Sequence, residues 1–138
     1  MIRWPNVIAG AACTLAMALA ACGASLTPAQ AMQERQRLRA AMHEPVSTRQ
    51  QRDDQSRLLA DVVDKGALQK MDMEDVRAAF GPGQPCRIEL CSQHGFGEGD
   101  WYYEIGVIEG DKVKQLPVLI VGFDPQGRAA RIWTLTTH

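Results

Sequence analysis

A half-buried strand is the first element that the hydrophobic pattern of this chain predicts. From Trp101 to Val107 an apolar or aromatic side chain stands at every second position, and this period of two is typical of a strand with one buried face. Tyr102 and Glu104 alternate with that series and belong to the opposite face. We therefore expect Trp101 to pack in the core, and Tyr102 and Glu104 to be available for contact with a partner.

Two further strands complete a predicted antiparallel meander. The run 116–123 is almost entirely apolar, which predicts a central strand that is covered on both faces. The sequence Asp-Pro-Gln-Gly at 124–127 has proline and glycine at the positions that a β-turn favours. Residues 129–136 then return as the last strand.

Three capping signals predict helices before this sheet. Thr27 with Gln30, and Ser47 with Gln50, have the spacing of a capping box. Asp72 stands in the N-cap position of a third, shorter helix. Helices followed by an antiparallel meander are typical of the α+β class. We expect two or three N-terminal helices packed on a three-stranded antiparallel sheet, in the order α-α-β-β-β.

The distribution of aromatic residues indicates where the folded domain lies. None occurs from residue 23 to residue 79, and because aromatic side chains dominate burial in small cores, the core is predicted over residues 55–138. A chain of 138 residues leaves room for one small domain. We expect residues 22–46 to be a tether that can hold a short helix, with a reach of about 25–30 Å, and residues 47–138 to be the α+β domain.

The N-terminus has the parts of an export signal. Arg3 precedes an apolar, alanine-rich run of about 15 residues, which is shorter than the roughly 20 residues that span a bilayer. The run ends in Leu-Ala-Ala-Cys at 19–22, which resembles a bacterial lipobox. This predicts a signal peptide over residues 1–21 and a diacylglycerol and an N-acyl chain on Cys22. An ordinary secretory signal cut after Ala24 or Ala31, and an uncleaved anchor, are the alternatives.

Lipidation sets the expected location. Gly23 follows the cysteine where aspartate would retain a lipoprotein in the inner membrane, so we expect the periplasmic face of the outer membrane of a Gram-negative cell. The net charge is −1, with 15 basic and 16 acidic residues, which does not provide the basic patch typical of nucleic-acid binding. Membrane attachment is therefore expected to depend on the lipid.

Residues 70–136 resemble the SmpA/OmlA domain of BamE-like outer-membrane lipoproteins. The matching positions follow the order of that family's motifs: Met71-Asp72, Val76, Phe80-Gly81, Trp101, Tyr103, Leu119, Val121, Phe123-Asp124 and Gly127. Lys70 stands where the family pattern has glycine. The resemblance implies a role in outer-membrane protein assembly or envelope integrity, with envelope proteins such as β-barrel assembly components as partners. The β-lactamase-inhibitor-like fold shares this plan, so the fold alone does not choose the partner.

Cys86 and Cys91 remain as thiols once Cys22 carries lipid and Cys13 is removed with the signal. In an oxidising periplasm two cysteines most simply form a disulfide. Five residues of extended strand span about 16 Å, whereas a disulfide requires Cα atoms about 4.4–6.8 Å apart, so the segment between the cysteines must turn. Two free thiols, or a metal site that adds His94, are the alternatives.

No set of catalytic side chains emerges from the sequence. The glycine-rich loop at 95–99 precedes a strand instead of opening a helix, so the geometry that binds phosphate is not expected. Phe96 within it is predicted to be a partner contact or a lid over the core. We expect a non-enzymatic interaction module without a metal, cofactor or small-molecule substrate. An inhibitor-like module that binds a periplasmic hydrolase, and a metal- or redox-active Cys/His domain, are the alternative functions.

Overall fold

A computed structural model of the chain describes residues 25–136. The predicted signal peptide, residues 1–21, and the predicted lipidation site Cys22 lie outside these residues. Within them the fold belongs to the α+β class, which confirms the predicted class. The elements in chain order are α1 (Pro28–Met42), β1 (Pro45–Val46), α2 (Arg49–Asp64), α3 (Met73–Phe80), β2 (Gln84–Pro85), α4 (Glu89–Gln93), β3 (Trp101–Glu104), β4 (Val107–Ile108), β5 (Val118–Phe123) and β6 (Ala129–Leu135).

The main sheet is antiparallel and has four strands in the order β2-β3-β5-β6. Strands β3, β5 and β6 are the predicted meander, and β2 adds a short fourth strand. Strand β5 is central and is buried from Val118 to Val121, which confirms that both of its faces are covered. Strand β6 lies at the edge, and its register with β5 shifts between Gly122 and Phe123. A separate parallel pair joins β1 to β4.

Helices α1, α2 and α3 cover one face of the main sheet. Leu119 and Val121 of β5 belong to the same buried cluster as Leu38 of α1, Leu59 of α2 and Val76 of α3, and each of the five is at most 1% exposed. Alternate residues of a strand point to opposite faces, so this cluster covers only one face of β5. A second group of residues covers the other face. No helix within residues 25–136 is both long enough and apolar enough to cross a membrane.

Each of these three helices begins with a capping box. Thr27 and Asp72 are the predicted N-caps, whereas α2 begins one residue later than predicted, after Thr48. The Thr48 hydroxyl accepts from the N–H of Gln51, and the Gln51 side chain accepts from the N–H of Thr48, both at 3.1 Å. These bonds satisfy N–H groups that the first turn of a helix leaves without a partner.

Helix α1 belongs to the folded core, so residues 28–42, within the predicted tether over 22–46, pack with the domain, and the core begins before the predicted residue 55. Leu38, Ala41 and Met42 are buried in the main cluster. The guanidinium Nε of Arg35 also donates to the carbonyl oxygen of Ala67 at 2.7 Å, which ties α1 to the chain after α2. This packing is not evident from the sequence, because the buried residues of α1 occur only in its second half.

The segment 86–96 covers the other face of the sheet. Cys86 and Cys91 lie at disulfide distance, with Cα atoms 5.6 Å apart, because the residues between them enter helix α4. Both cysteines and Phe96 pack with Ile120 of β5 in a second buried cluster. Phe96 is only 8% exposed and packs as a lid over this cluster, so little of its ring is open to a partner, and its role as a partner contact stays a prediction.

Candidate interaction groove

An open groove lies where α1 and α3 end. Its volume is about 410 Å³, and its floor is formed by the buried side chains of Phe80, Tyr103 and Leu116. Met42 and His43, at the end of α1, form one side. The groove is therefore built by the ends of two helices and by strand β3, which bring together residues from distant parts of the sequence.

Two adjacent apolar residues of β4 line the groove. Val107 and Ile108 are 51% and 40% exposed, so the prediction that Val107 continues the buried face of the preceding strand is wrong. Strand β3 ends at Glu104, and the chain turns at Gly106, whose φ is 123°. A Cβ atom at Gly106 would lie 2.6 Å from Cγ2 of Val46. Only glycine fits this turn, and the turn directs β4 toward β1 instead of extending the main sheet.

Tyr102 and Glu104, the two residues predicted from strand alternation as partner contacts, both line this groove. The Tyr102 hydroxyl donates to Oε1 of Gln84 at 2.5 Å, which links β3 to β2. Glu104 is exposed at the end of β3. Tyr102 and Glu104 thus line the groove together with Val107, and Tyr102 also packs against the second buried cluster, to which Phe96 belongs.

Tyr103 gives the groove an uncharged floor. Its hydroxyl donates to the carbonyl oxygen of Gly81 at 2.8 Å, and its ring meets Phe80 edge-on with centroids 5.8 Å apart. Burial raises the pKa of Tyr103 above its ordinary value, and the charge of Arg77 opposes that effect only in part. The phenol therefore stays protonated near neutral pH and acts as a hydrogen-bond donor in the core.

Sequence reasoning missed His43, Val107 and Ile108 as groove residues. His43 lies in the segment that was interpreted as a tether. For Val107 and Ile108 the informative residue is Gly106, which interrupts the alternating strand. The side chain before it, Ile105, is buried, whereas the two after it are exposed. The apolar residues that follow such a glycine need not share the buried face of those before it.

The three residues of the metal alternative do not form a set of ligands. The sulfur atoms of Cys86 and Cys91 are bonded to each other. The imidazole of His94 stacks on Trp133 with ring centroids 4.0 Å apart. Among residues 25–136, no group of three His, Cys, Asp or Glu side chains is arranged to hold a metal ion. The geometry of this segment is that of a packed cover on the sheet.

Comparison with known proteins does not identify a relative. Searches of protein-family models, of curated proteins and of solved structures find no match to this chain. The observed elements assign the fold to the α+β class. The BamE-like arrangement stays a prediction.

Proposed function

We propose that this protein is a lipid-anchored interaction module on the periplasmic face of the outer membrane, and that its groove binds another envelope protein. The observation that carries the proposal is the exposure of Val107 and Ile108, at 51% and 40%, in a concave surface. Contiguous exposed apolar side chains with polar neighbours are typical of interaction sites. No enzymatic activity is part of the proposal.

The chemistry of the groove defines the partner surface that would fit. An apolar side chain of the partner would remove water from Val107, Ile108 and the floor of the groove, which is favourable in proportion to the apolar area buried. Glu104 on the rim offers a carboxylate to a lysine or arginine of the partner. Tyr102 adds an aromatic ring, a group that is enriched in protein interfaces.

The resemblance of residues 70–136 to the SmpA/OmlA domain supports β-barrel assembly components as the class of partner. The lipobox-like sequence at 19–22 supports anchoring through Cys22. Stable attachment to a bilayer takes at least two acyl chains, and a diacylglycerol with an N-acyl chain meets that requirement.

Photocrosslinking in intact cells tests this proposal. A photoreactive amino acid at Ile108 is expected to crosslink to a β-barrel assembly component, identified by mass spectrometry. The same group at Arg57 is the matched control, because this side chain on α2 is 67% exposed and does not line the groove. Because a released protein meets its membrane partner less often, Cys22→Ala is expected to weaken the crosslink at Ile108.

Two outcomes would contradict the proposal. Equal crosslinking from Ile108 and Arg57 would show that the groove is not the contact surface. A hydrolase captured from Ile108, without assembly components, would favour the inhibitor-like alternative.

A further inference from the structure

The folded domain has two ends that differ in their distance from Cys22. Helix α1 begins at one end, beside the loop 66–72 and the hairpin turn 124–128, and we call this the proximal end. The N–H of Met73 donates to the carbonyl of Gly127 at 2.8 Å, which joins the loop to the turn. The side chain of Arg35, at the middle of α1, donates to the carbonyl of Ala67 at 2.7 Å, and Leu26, just before α1, packs against the cluster that contains Ala67 and Met71. The interaction groove lies at the other end, where α1 finishes.

The folded domain begins close to the predicted lipidation site. Leu26 is half-buried and packs against the main core, and the hydroxyl of Thr27 caps α1. Four Cα–Cα steps separate Cys22 from Leu26, so the chain between them spans at most about 15 Å. Helix α1 has 15 residues and is therefore about 22 Å long. The linker is thus too short for the groove end to face the membrane in place of the proximal end.

The proximal end also carries groups that suit a phospholipid surface. Met32 is 58% exposed, the highest value among the large hydrophobic residues of 25–136. Lys70 and Arg128 are exposed cations of the neighbouring loop and turn. The nearby carboxylates of Asp72 and Asp124 accept hydrogen bonds from backbone N–H groups of their own segments. An exposed apolar side chain suits the interfacial region of a bilayer. Because the carboxylates of Asp72, Glu74, Asp75 and Asp124 lie at the same end as the two cations, the orientation rests on the short linker and on Met32, and not on attraction to anionic lipid.

We propose that the proximal end lies against the phospholipid headgroups, with Met32 and Lys70 facing the bilayer, and that the groove is directed away from the membrane. This orientation rests on the proposed lipidation of Cys22. The orientation deepens the proposed function, because it sets the direction from which a partner must approach the groove. Partners whose binding surface projects into the periplasm can reach the groove, whereas a surface at headgroup level cannot.

Fluorescence quenching on vesicles tests the orientation. The full lipidated protein is placed in phosphatidylethanolamine–phosphatidylglycerol vesicles that contain a lipid with a nitroxide on its headgroup. A fluorophore is attached at Gln69→Cys, in the proximal end, or at Ile108→Cys, in the groove. The native cysteines do not compete for the label, because Cys22 carries lipid and the other two are joined. The label at position 69 is expected to lose most of its fluorescence, and the label at position 108 to keep it.

Insertion of a flexible Gly/Ser segment before Leu26 provides a second, independent measurement. About ten added residues extend the linker by about 17 Å, so quenching at position 69 should fall while the protein stays on the vesicles. Unchanged quenching would overturn the short linker as the cause of the orientation. Equal quenching at both labels of the parent protein, or stronger quenching at position 108, would overturn the orientation itself while leaving the anchor in place.

Failure of the proposed anchoring gives a different result. A protein without lipid on Cys22 would not sediment with the vesicles, and mass spectrometry of the N-terminal peptide would show the unmodified cysteine. That result would overturn the orientation together with the anchor.

Discussion

Lys70 is the only residue other than glycine within 25–136 that has a positive φ angle, at 63°. In this left-handed region the Cβ atom of an L-residue crowds the following carbonyl, at a cost of about 1–2 kcal/mol. The positive φ angle has a physical reason, since the chain must turn here between the end of α2 and the start of α3.

Lys70→Gly is expected to raise the free energy of unfolding by about 0.5–1 kcal/mol, measured by urea denaturation. The gain is smaller than the strain removed because glycine also increases the conformational entropy of the unfolded chain. Gln69→Gly is the matched control, and it should lower stability, since the φ of Gln69 is not positive. A loss of stability in Lys70→Gly would refute strain at this position.

At the scale of elements, the two faces of the main sheet are covered by different kinds of structure. Three helices cover one face, and a segment closed by a disulfide covers the other. The second cover spans few residues and contains only one short helix, α4, which has no side-chain cap at its N-terminus. The link between Cys86 and Cys91 therefore adds a covalent closure to the local backbone hydrogen bonds of this segment, such as that from the N–H of Phe96 to the carbonyl of Cys91.

Replacement of both cysteines, as Cys86→Ser with Cys91→Ser, is expected to lower the free energy of unfolding by about 2 kcal/mol, the value for closing a short loop in the unfolded chain. Urea denaturation with and without dithiothreitol measures it. The reductant should destabilise the parent protein by a similar amount and leave the double variant unchanged. A double variant as stable as the oxidised parent would contradict a stabilising role of the link.

Elements with a local signal could be predicted from the sequence, and elements formed by distant partners could not. Strand β5 and the turn after it were predicted because an apolar run and a Pro–Gly turn are local patterns. The pair β1 and β4 was missed because each strand has two residues, too few to show a period.

The same limit determines which residues of the candidate groove could be predicted. Tyr102 and Glu104 were predicted from alternation, whereas His43 and Ile108 reach the groove only through tertiary packing.

At the scale of the whole molecule, the domain is larger than the distribution of aromatic residues indicates. Helix α1 contains no aromatic residue, yet Leu38 is fully buried and Met42 is 7% exposed. The core therefore recruits aliphatic side chains from a helix that is otherwise polar. Ion pairs between Glu34 and Lys65, at 3.2 Å, and between Arg37 and Asp61, also at 3.2 Å, join the exposed sides of α1 and α2.

Leu38→Ala is expected to lower the free energy of unfolding by about 2–5 kcal/mol, the range for removing a buried leucine side chain. Met32→Ala on the same helix is the control and should change it by less than about 0.5 kcal/mol, because that side chain is exposed. Chemical denaturation of the two variants provides the comparison. Similar small effects at both positions would show that α1 does not unfold together with the sheet.

The edge position of β6 has a consequence for copies of this chain held close together, as the proposed lipid anchor would hold them. An edge strand has backbone groups on which a second chain can pair, and this risk of aggregation rises with local concentration. In β6, Ala130 is left without a partner where the register with Gly122 and Phe123 of β5 shifts, which makes this edge strand irregular. The Arg131 side chain lies over the ring of Phe96 and donates to the carbonyl oxygen of Gly95, which places a charge beside that edge. These features oppose strand-to-strand association between copies that are held close together.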